Sequence, residues 1–285
     1  MSMNMRDMEQ LFKKMGGVAK YRAPNSGAKA LVLLSGGMDS AVTLYFAKTL
    51  GWDVAHALTF NYGQSHTKET EAAAEIAELA DVPLTVLNIA SVISVLTRGE
   101  SALTDHSIDI PETAEAPTQI PPTYVPLRNP LLLTLAGQFA FREDIKGIFI
   151  GANAVDYSGY PDCRPEFMHA FDVMINLAVA DTGKSFYVVA PIIDITKGEI
   201  VKLGQSLNVP WDLTWSCYRG GEEPCGECAS CELRAKGFAE AGVKDTALPI
   251  KDDPLNIVST EKAPQTTPTL SSADADPNKE DVDID

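Results

Sequence analysis

The sequence predicts an α/β fold: a parallel sheet with helices on both faces, followed by a small cysteine-bearing subdomain. Three observations carry this expectation. Short apolar strand patterns alternate with longer helical ones through most of the 285 residues. A glycine-rich turn joins the first strand to the first long helix. Four of the five cysteines fall between Cys217 and Cys231. Strand, helix and strand at these lengths build right-handed crossover units, and so a Rossmann-like sheet covered on both sides.

Residues 1–29 read as an extension, with an amphipathic helix around 5–15 and breakers at Gly16-Gly17 and Pro24-Asn25-Ser26-Gly27. Residues 30–34 form a buried-strand pattern, and an apolar segment of helical period covers 40–50. Strands are expected at 54–60 and 84–89, on either side of an Ala/Glu-rich helix at 67–80. Residues 91–128 hold five prolines and read as a long irregular connection. A helix at 130–142 follows, since Pro130 is tolerated in a first turn. A fourth strand spans Gly147–Ile150, a helix 164–180, and a fifth strand 187–190. Thr196 and Glu199 have the spacing of a capping box, which opens a helix over 196–207. A last helix covers 231–241. From residue 252 the apolar periodicity stops, and 252–285 reads as a disordered acidic tail. The expected domains are 1–29, a nucleotide-binding domain at 30–210, a metal-binding subdomain at 211–251, and the tail.

Composition narrows the function classes. Apolar residues make up 45% of the chain, enough for a sizeable core, yet no apolar run approaches the roughly 20 residues of a membrane helix. The N-terminus carries Asp7, Glu9, Lys13 and Lys14 and no continuous apolar stretch, so a cytoplasmic enzyme is expected. A net charge of −16 speaks against nucleic-acid and membrane partners, which are bound through Lys and Arg. Clustered cysteines in such a chain point to a metal site before a disulfide framework.

The turn reads Leu33-Leu34-Ser35-Gly36-Gly37-Met38-Asp39-Ser40. Its glycines let the backbone approach a phosphate, and the N–H groups of the loop and helix start face the anion. Ser35 and Ser40 add hydroxyls, and Asp39 can position Mg²⁺. No Walker lysine follows the glycines. The string resembles the pyrophosphate loop of the N-type ATP pyrophosphatases, which adenylate a substrate oxygen and release pyrophosphate. Two further strings follow strand ends, where open α/β sheets place ligands: Phe60-Asn61-Tyr62-Gly63-Gln64-Ser65-His66, and Ser158-Gly159-Tyr160-Pro161-Asp162-Cys163-Arg164. With Tyr124-Val125-Pro126-Leu127-Arg128-Asn129 and the cysteine cluster, they make residues 30–245 resemble the QueC family of queuosine biosynthesis. Leu127 stands where that family usually has Gly, and Ser65 where it often has Arg.

The resemblance implies conversion of 7-carboxy-7-deazaguanine and ammonia to a nitrile through adenylated acid and amide, using two ATP. It implies an ATP site at Leu34, Ser35, Gly36, Gly37, Met38, Asp39, Ser40, Ala41, Val42, Thr43 and Leu44. Asp39, Ser40 and Arg128 would serve the chemistry. Arg128, Asn129, Tyr160 and Asp162 would contact the deazaguanine acid: Tyr160 as a stacking face, Asp162 as acceptor for the N1–H and 2-amino edge, Arg128 on a carboxylate or phosphate. Asp162 also suits the cap of the following helix, and Cys163 a small buried position. His66 fits a phosphate contact or a surface helix equally. Cys217, Cys225, Cys228 and Cys231 favour a closed tetrahedral site, which the resemblance makes one structural zinc; four cysteines also suit an iron–sulfur cluster. A homodimer is expected. The rival readings are a tRNA thiolase of the same superfamily, a paralogue that stops at an amide or conjugate, and a zinc-containing module that only senses ATP.

Overall fold

Alternate residues of the first strand, β1 (Lys29–Leu33), feed two separate cores. Ala30 and Val32 face one side, and Leu31 and Leu33 the other. That is the period-two signature of a strand covered on both faces. The computed structural model describes residues 5–64, 66–96, 101–104, 107–109, 120–155 and 159–247. Ser65, Ser158 and the segment 252–285 lie outside them.

Five parallel strands form the sheet: β1, β2 (Asp53–Asn61), β3 (Leu84–Asn88), β4 (Gly147–Ile150) and β5 (Tyr187–Val189), in the order β3-β2-β1-β4-β5. β1 pairs with β2 through Leu33 and Leu58, and with β4 through Leu33 and Ile150. The chain runs outward from β1 in one direction, then returns to build β4 and β5 on the other side. The reversal between β1 and β4 is the point where the loops after two neighbouring strands diverge and leave a crevice.

One face is covered by α1 (Met5–Lys14), α2 (Met38–Thr49), α3 (Lys68–Leu79), α7 (Lys197–Ser206) and α8 (Ala229–Ala241). Leu11 and Met15 are buried in this core, so the N-terminal segment packs on the helices covering the sheet. The other face is covered by α4 (Ala90–Leu96), α5 (Arg128–Glu143) and α6 (Pro165–Ala178), through Ile93, Leu133, Ala136, Phe171 and Ile175. Each fully buried aliphatic side chain contributes about 1.5–3 kcal/mol. The capping box opening α7 forms as its spacing predicts: Thr196 Oγ1 accepts from Glu199 N at 3.2 Å, and Thr196 N donates to Glu199 Oε2 at 2.7 Å.

Two departures from the expected elements have local causes. The connection after β3 opens with a helix, α4, although Ser91-Val92-Ile93-Ser94-Val95 is rich in strand formers. Asn88 Oδ1 accepts from Ala90 N at 3.1 Å, and burial of Ile93 overrides propensity. α5 starts at Arg128, ahead of Pro130, because an N–H in the first turn has no helical partner to lose. Leu127 precedes α5 with φ 56°, in the left-handed region that favours glycine.

Candidate active site

The crevice beside β1 and β4 is a cavity of about 300 Å³. Its floor is the turn after β1. Gly36 has φ +84°, and a Cβ there would lie 2.2 Å from the Glu69 carbonyl of α3, so only glycine lets loop and helix meet. Ser35 N donates to Ser40 Oγ at 3.2 Å, and Ser40 Oγ donates to Gly37 O at 3.0 Å. The turn is thus preformed at the N-terminal end of α2, where the first N–H groups of a helix have no acceptor within it. Gly151, after β4, backs onto Asp39, where a Cβ would meet the Asp39 carbonyl carbon at 2.9 Å.

Leu34, Ser35, Gly37, Met38, Asp39 and Ser40 line the cavity. Ala41, Val42, Thr43 and Leu44 continue α2 as fully buried residues that do not line it. Asp39 Oδ2 accepts from Lys197 Nζ at the head of α7, a pairing across 158 residues of chain. Asn153, after β4, positions that helix start by donating to Ile192 O at 3.1 Å and Ile195 O at 2.6 Å. The other Asp39 oxygen is buried and has no partner among the described residues.

The opposite wall is aromatic and cationic. Arg128 lies 5.4 Å from the ring of Tyr62 and 5.9 Å from that of Tyr160, and its Nη1 donates to the Tyr62 hydroxyl at 3.3 Å. Burial alone would lower the Arg128 pKa, but Tyr62, Tyr160, Cys163 and Asp162 around it hold it raised, so it stays a cation. Burial pushes the Tyr62, Tyr160 and Tyr218 hydroxyls upward, so all three stay neutral. Asn129 lines the cavity while its Nδ2 donates to Asp162 O and to Cys163 Sγ, both at 3.2 Å.

Asp162 stands behind this wall. Its Oδ2 accepts from Asn129 N at 3.1 Å in the first turn of α5, and the carboxylate does not line the cavity. It therefore caps α5 and not the helix that follows it in sequence. Burial raises its pKa. Cys163 lines the cavity as a buried thiol, and burial pushes its pKa up to about 11, which leaves it protonated and inert. His66 packs against Trp215, with ring centroids 6.1 Å apart, and outside the cavity lining.

Sequence reading passed over Glu69, Lys197, Tyr218 and Arg234, all of which line the cavity. Glu69 looked like one more glutamate of an Ala/Glu-rich helix, and Lys197 like an unremarked first residue after a cap. Burial pushes the Glu69 carboxyl up to about 7, against the pull of Arg128.

Sulfur atoms of Cys217, Cys225, Cys228 and Cys231 all lie within 4.8 Å of one another. Backbone N–H groups converge on them: Cys228 N on Cys225 Sγ at 3.3 Å, and Arg219 N and Cys225 N on Cys217 Sγ at 3.4 Å. The Cys228 and Cys231 thiols with these N–H groups lower the Cys217 pKa, while Cys217 raises those of Cys228 and Cys231. The centre connects to the floor of the cavity, since Trp215 N donates to Gly36 O at 2.9 Å and Trp215 Nε1 to Cys217 O at 2.9 Å.

Comparison with known proteins gives one family match and many relatives. The family model described as "Queuosine biosynthesis protein QueC" matches residues 29–242. A 7-cyano-7-deazaguanine synthase of Acetivibrio thermocellus is 48% identical over 220 residues, covering 76% of this chain and 96% of that one. Enzymes of the same name from Coxiella burnetii and Thermoplasma acidophilum are 47% and 44% identical over 76% of this chain, and over 96% and 90% of their own lengths.

Proposed function

The chain belongs to the QueC family of queuosine biosynthesis proteins, and we propose that its cavity converts 7-carboxy-7-deazaguanine and ammonia to 7-cyano-7-deazaguanine at the expense of two ATP. One observation carries the reading. A preformed anion-binding turn and a buried cation among aromatic rings face each other in one cavity. The first suits a triphosphate, and the second a planar heterocycle bearing a carboxylate.

Ser35, Gly37 and Ser40 would hold the nucleotide phosphates, with Lys197 beside them as a cation. Tyr160 and Tyr62 would flank the ring, and Arg128 would aim its carboxylate at the α-phosphate. Attack by a carboxylate oxygen releases pyrophosphate and leaves an acyl adenylate. Ammonia then displaces AMP to give the amide. A second adenylation, on the amide oxygen, makes that oxygen a leaving group, and loss of AMP and the last N–H protons gives the nitrile. Both activations are attack by oxygen on the same phosphorus, so one turn serves both. The protein's share is positioning and charge neutralisation. Mg²⁺ would be held by Asp39, whose unpartnered buried oxygen fits a cation, and would neutralise phosphate charge.

The four cysteines would hold one structural zinc. Tetrahedral bonds of about 2.3 Å set sulfurs roughly 3.8 Å apart, and Cys225 and Cys231 sulfurs stand at 4.0 Å. A multi-iron cluster would hold its sulfurs further apart. A homodimer is part of the proposal, supported by an apolar groove in which Leu96, Leu127 and Met174 are exposed. The reading places the enzyme in the cytoplasm; among the described residues no helix is long and apolar enough to cross a membrane.

Mass analysis of the product from the deazaguanine acid, ATP, Mg²⁺ and ammonium tests the reading: the nitrile is expected, and an amide as sole product would overturn it. Asp39→Ala should cut pyrophosphate release at least about 100-fold while the protein stays folded.

A further inference from the structure

Among the described residues two carboxylates line the cavity, and only Asp39 is bonded to a cation. Asp39 is paired with Lys197, whereas Glu69 makes no hydrogen bond or ion pair among the described residues. The groups that face Glu69 come from three other segments: Tyr62 after β2, Arg128 at the head of α5, and Tyr218 in the metal loop. On its own helix, Lys68 and Glu71 pair with each other at 3.7 Å. Arg128 does not close on Glu69; it is held by the Tyr62 hydroxyl and ring.

Position defines what this carboxylate can meet. The Glu69 carbonyl backs directly onto Gly36, so the side chain starts from the floor of the phosphate turn. In the reading above, that is where the activated carbonyl carbon must sit. The pyrimidine edge of a deazaguanine points away from its 7-substituent and so away from this turn. A small cation fits beside a carboxylate that no cation closes on among the described residues, next to tyrosine hydroxyls that burial keeps neutral.

We infer that Glu69 is the ammonium-binding group of this site and takes the proton that ammonium must lose before it can attack. The inference rests on the functional reading above. Ammonium gives one proton to the Glu69 carboxylate. The freed lone pair forms the C–N bond, the C–O bond to AMP breaks, and its electron pair leaves with AMP. The second N–H proton lost on the way to the neutral amide goes to the departing AMP phosphate. A carboxyl held near neutrality is matched to that transfer.

The test compares two nucleophiles on wild type and Glu69→Gln. Ammonium reaches the site as a cation and needs a base, whereas hydroxylamine is largely unprotonated at neutral pH and does not. The variant should lose about 100-fold in ammonium-dependent turnover, with a raised KM for ammonium, and should keep hydroxamate formation within about threefold of wild type. The rise of the wild-type ammonium rate through neutral pH should disappear in the variant. Equal loss of both products would assign Glu69 to adenylation or to the fold and overturn the inference, as would an unchanged KM and rate with ammonium. A wild type that releases no pyrophosphate with the acid would overturn the functional reading and this inference with it. A wild type that does so, beside a variant normal toward ammonium, would overturn this inference alone.

Discussion

Replacing Asp245 with alanine is expected to destabilise the protein by about 3 kcal/mol and to loosen the phosphate turn at the same time. Arg234 and Asp245 form a buried pair, with side chains 2% and 8% exposed. Its bonds are Nε to Oδ2 at 2.6 Å and Nη2 to Oδ1 at 2.9 Å. Stranding a buried charge costs about 3–5 kcal/mol. The lower end applies because Arg234 keeps Trp211 O and Thr214 O at 3.1 Å and Ser216 Oγ at 3.3 Å. For a body of this size that is a fall in Tm of about 6–12 °C. The segment Arg234 grips leads to Trp215, which bonds Gly36, so KM for ATP should rise. Arg234→Met should cost more, because it strands the Asp245 carboxylate and takes the Arg234 donor from Thr214 O, while Trp211 O keeps Thr214 N at 3.1 Å and Thr214 Oγ1 at 2.7 Å. The double variant should be less destabilised than Arg234→Met alone, since that single variant strands the Asp245 carboxylate and the double variant leaves no charge to strand. Urea melts with unchanged slope would measure each step. A chain ended after residue 247 should melt like the full protein, and one ended after 244 like Asp245→Ala. An Asp245→Ala variant melting within 2 °C of wild type, or additive losses in the double variant, would refute the reasoning.

Cys228→Ser should lower metal content below one ion per chain, measured by elemental analysis, and chelation of the wild type should lower Tm in the same direction. Leu127→Gly should raise the stability of the single protomer by about 0.5–1 kcal/mol in a denaturant melt, because it relieves φ 56°, and should weaken the proposed dimer, whose groove Leu127 lines. Glu69 contributes a pH dependence of definite sign. Its folded pKa, about 7, lies above the ordinary 4.5, so the folded state holds the proton more tightly and stability falls as pH rises between those values. Glu69→Gln removes that loss, and its Tm relative to wild type should climb over the same window.

The parallel sheet, the phosphate turn and the four-cysteine set were legible in the sequence because each is a local pattern. Buried strands repeat with period two, Ser35-Gly36-Gly37 needs only its own backbone to turn, and Cys225-Gly226-Glu227-Cys228 folds its knuckle through adjacent N–H groups. Departures arose where tertiary packing overrode local chemistry, as in the helix that Ile93 burial imposes on a strand-forming stretch. Asp162 read as a contact to the deazaguanine edge, with the cap of the next helix as the alternative, and in the fold its carboxylate accepts from a helix start 33 residues earlier. The pairing of Asp39 with Lys197, the grip of Arg234 on Asp245 and the Glu69 carboxylate that no cation closes on among the described residues had no sequence signal at all. Charge pairing depends on distance in space, and the reversal of strand order between β1 and β4 alone brought the turn, α3, α5 and α7 to one crevice. What a carboxylate does here follows from which cation reaches it, and only the folded chain decides that.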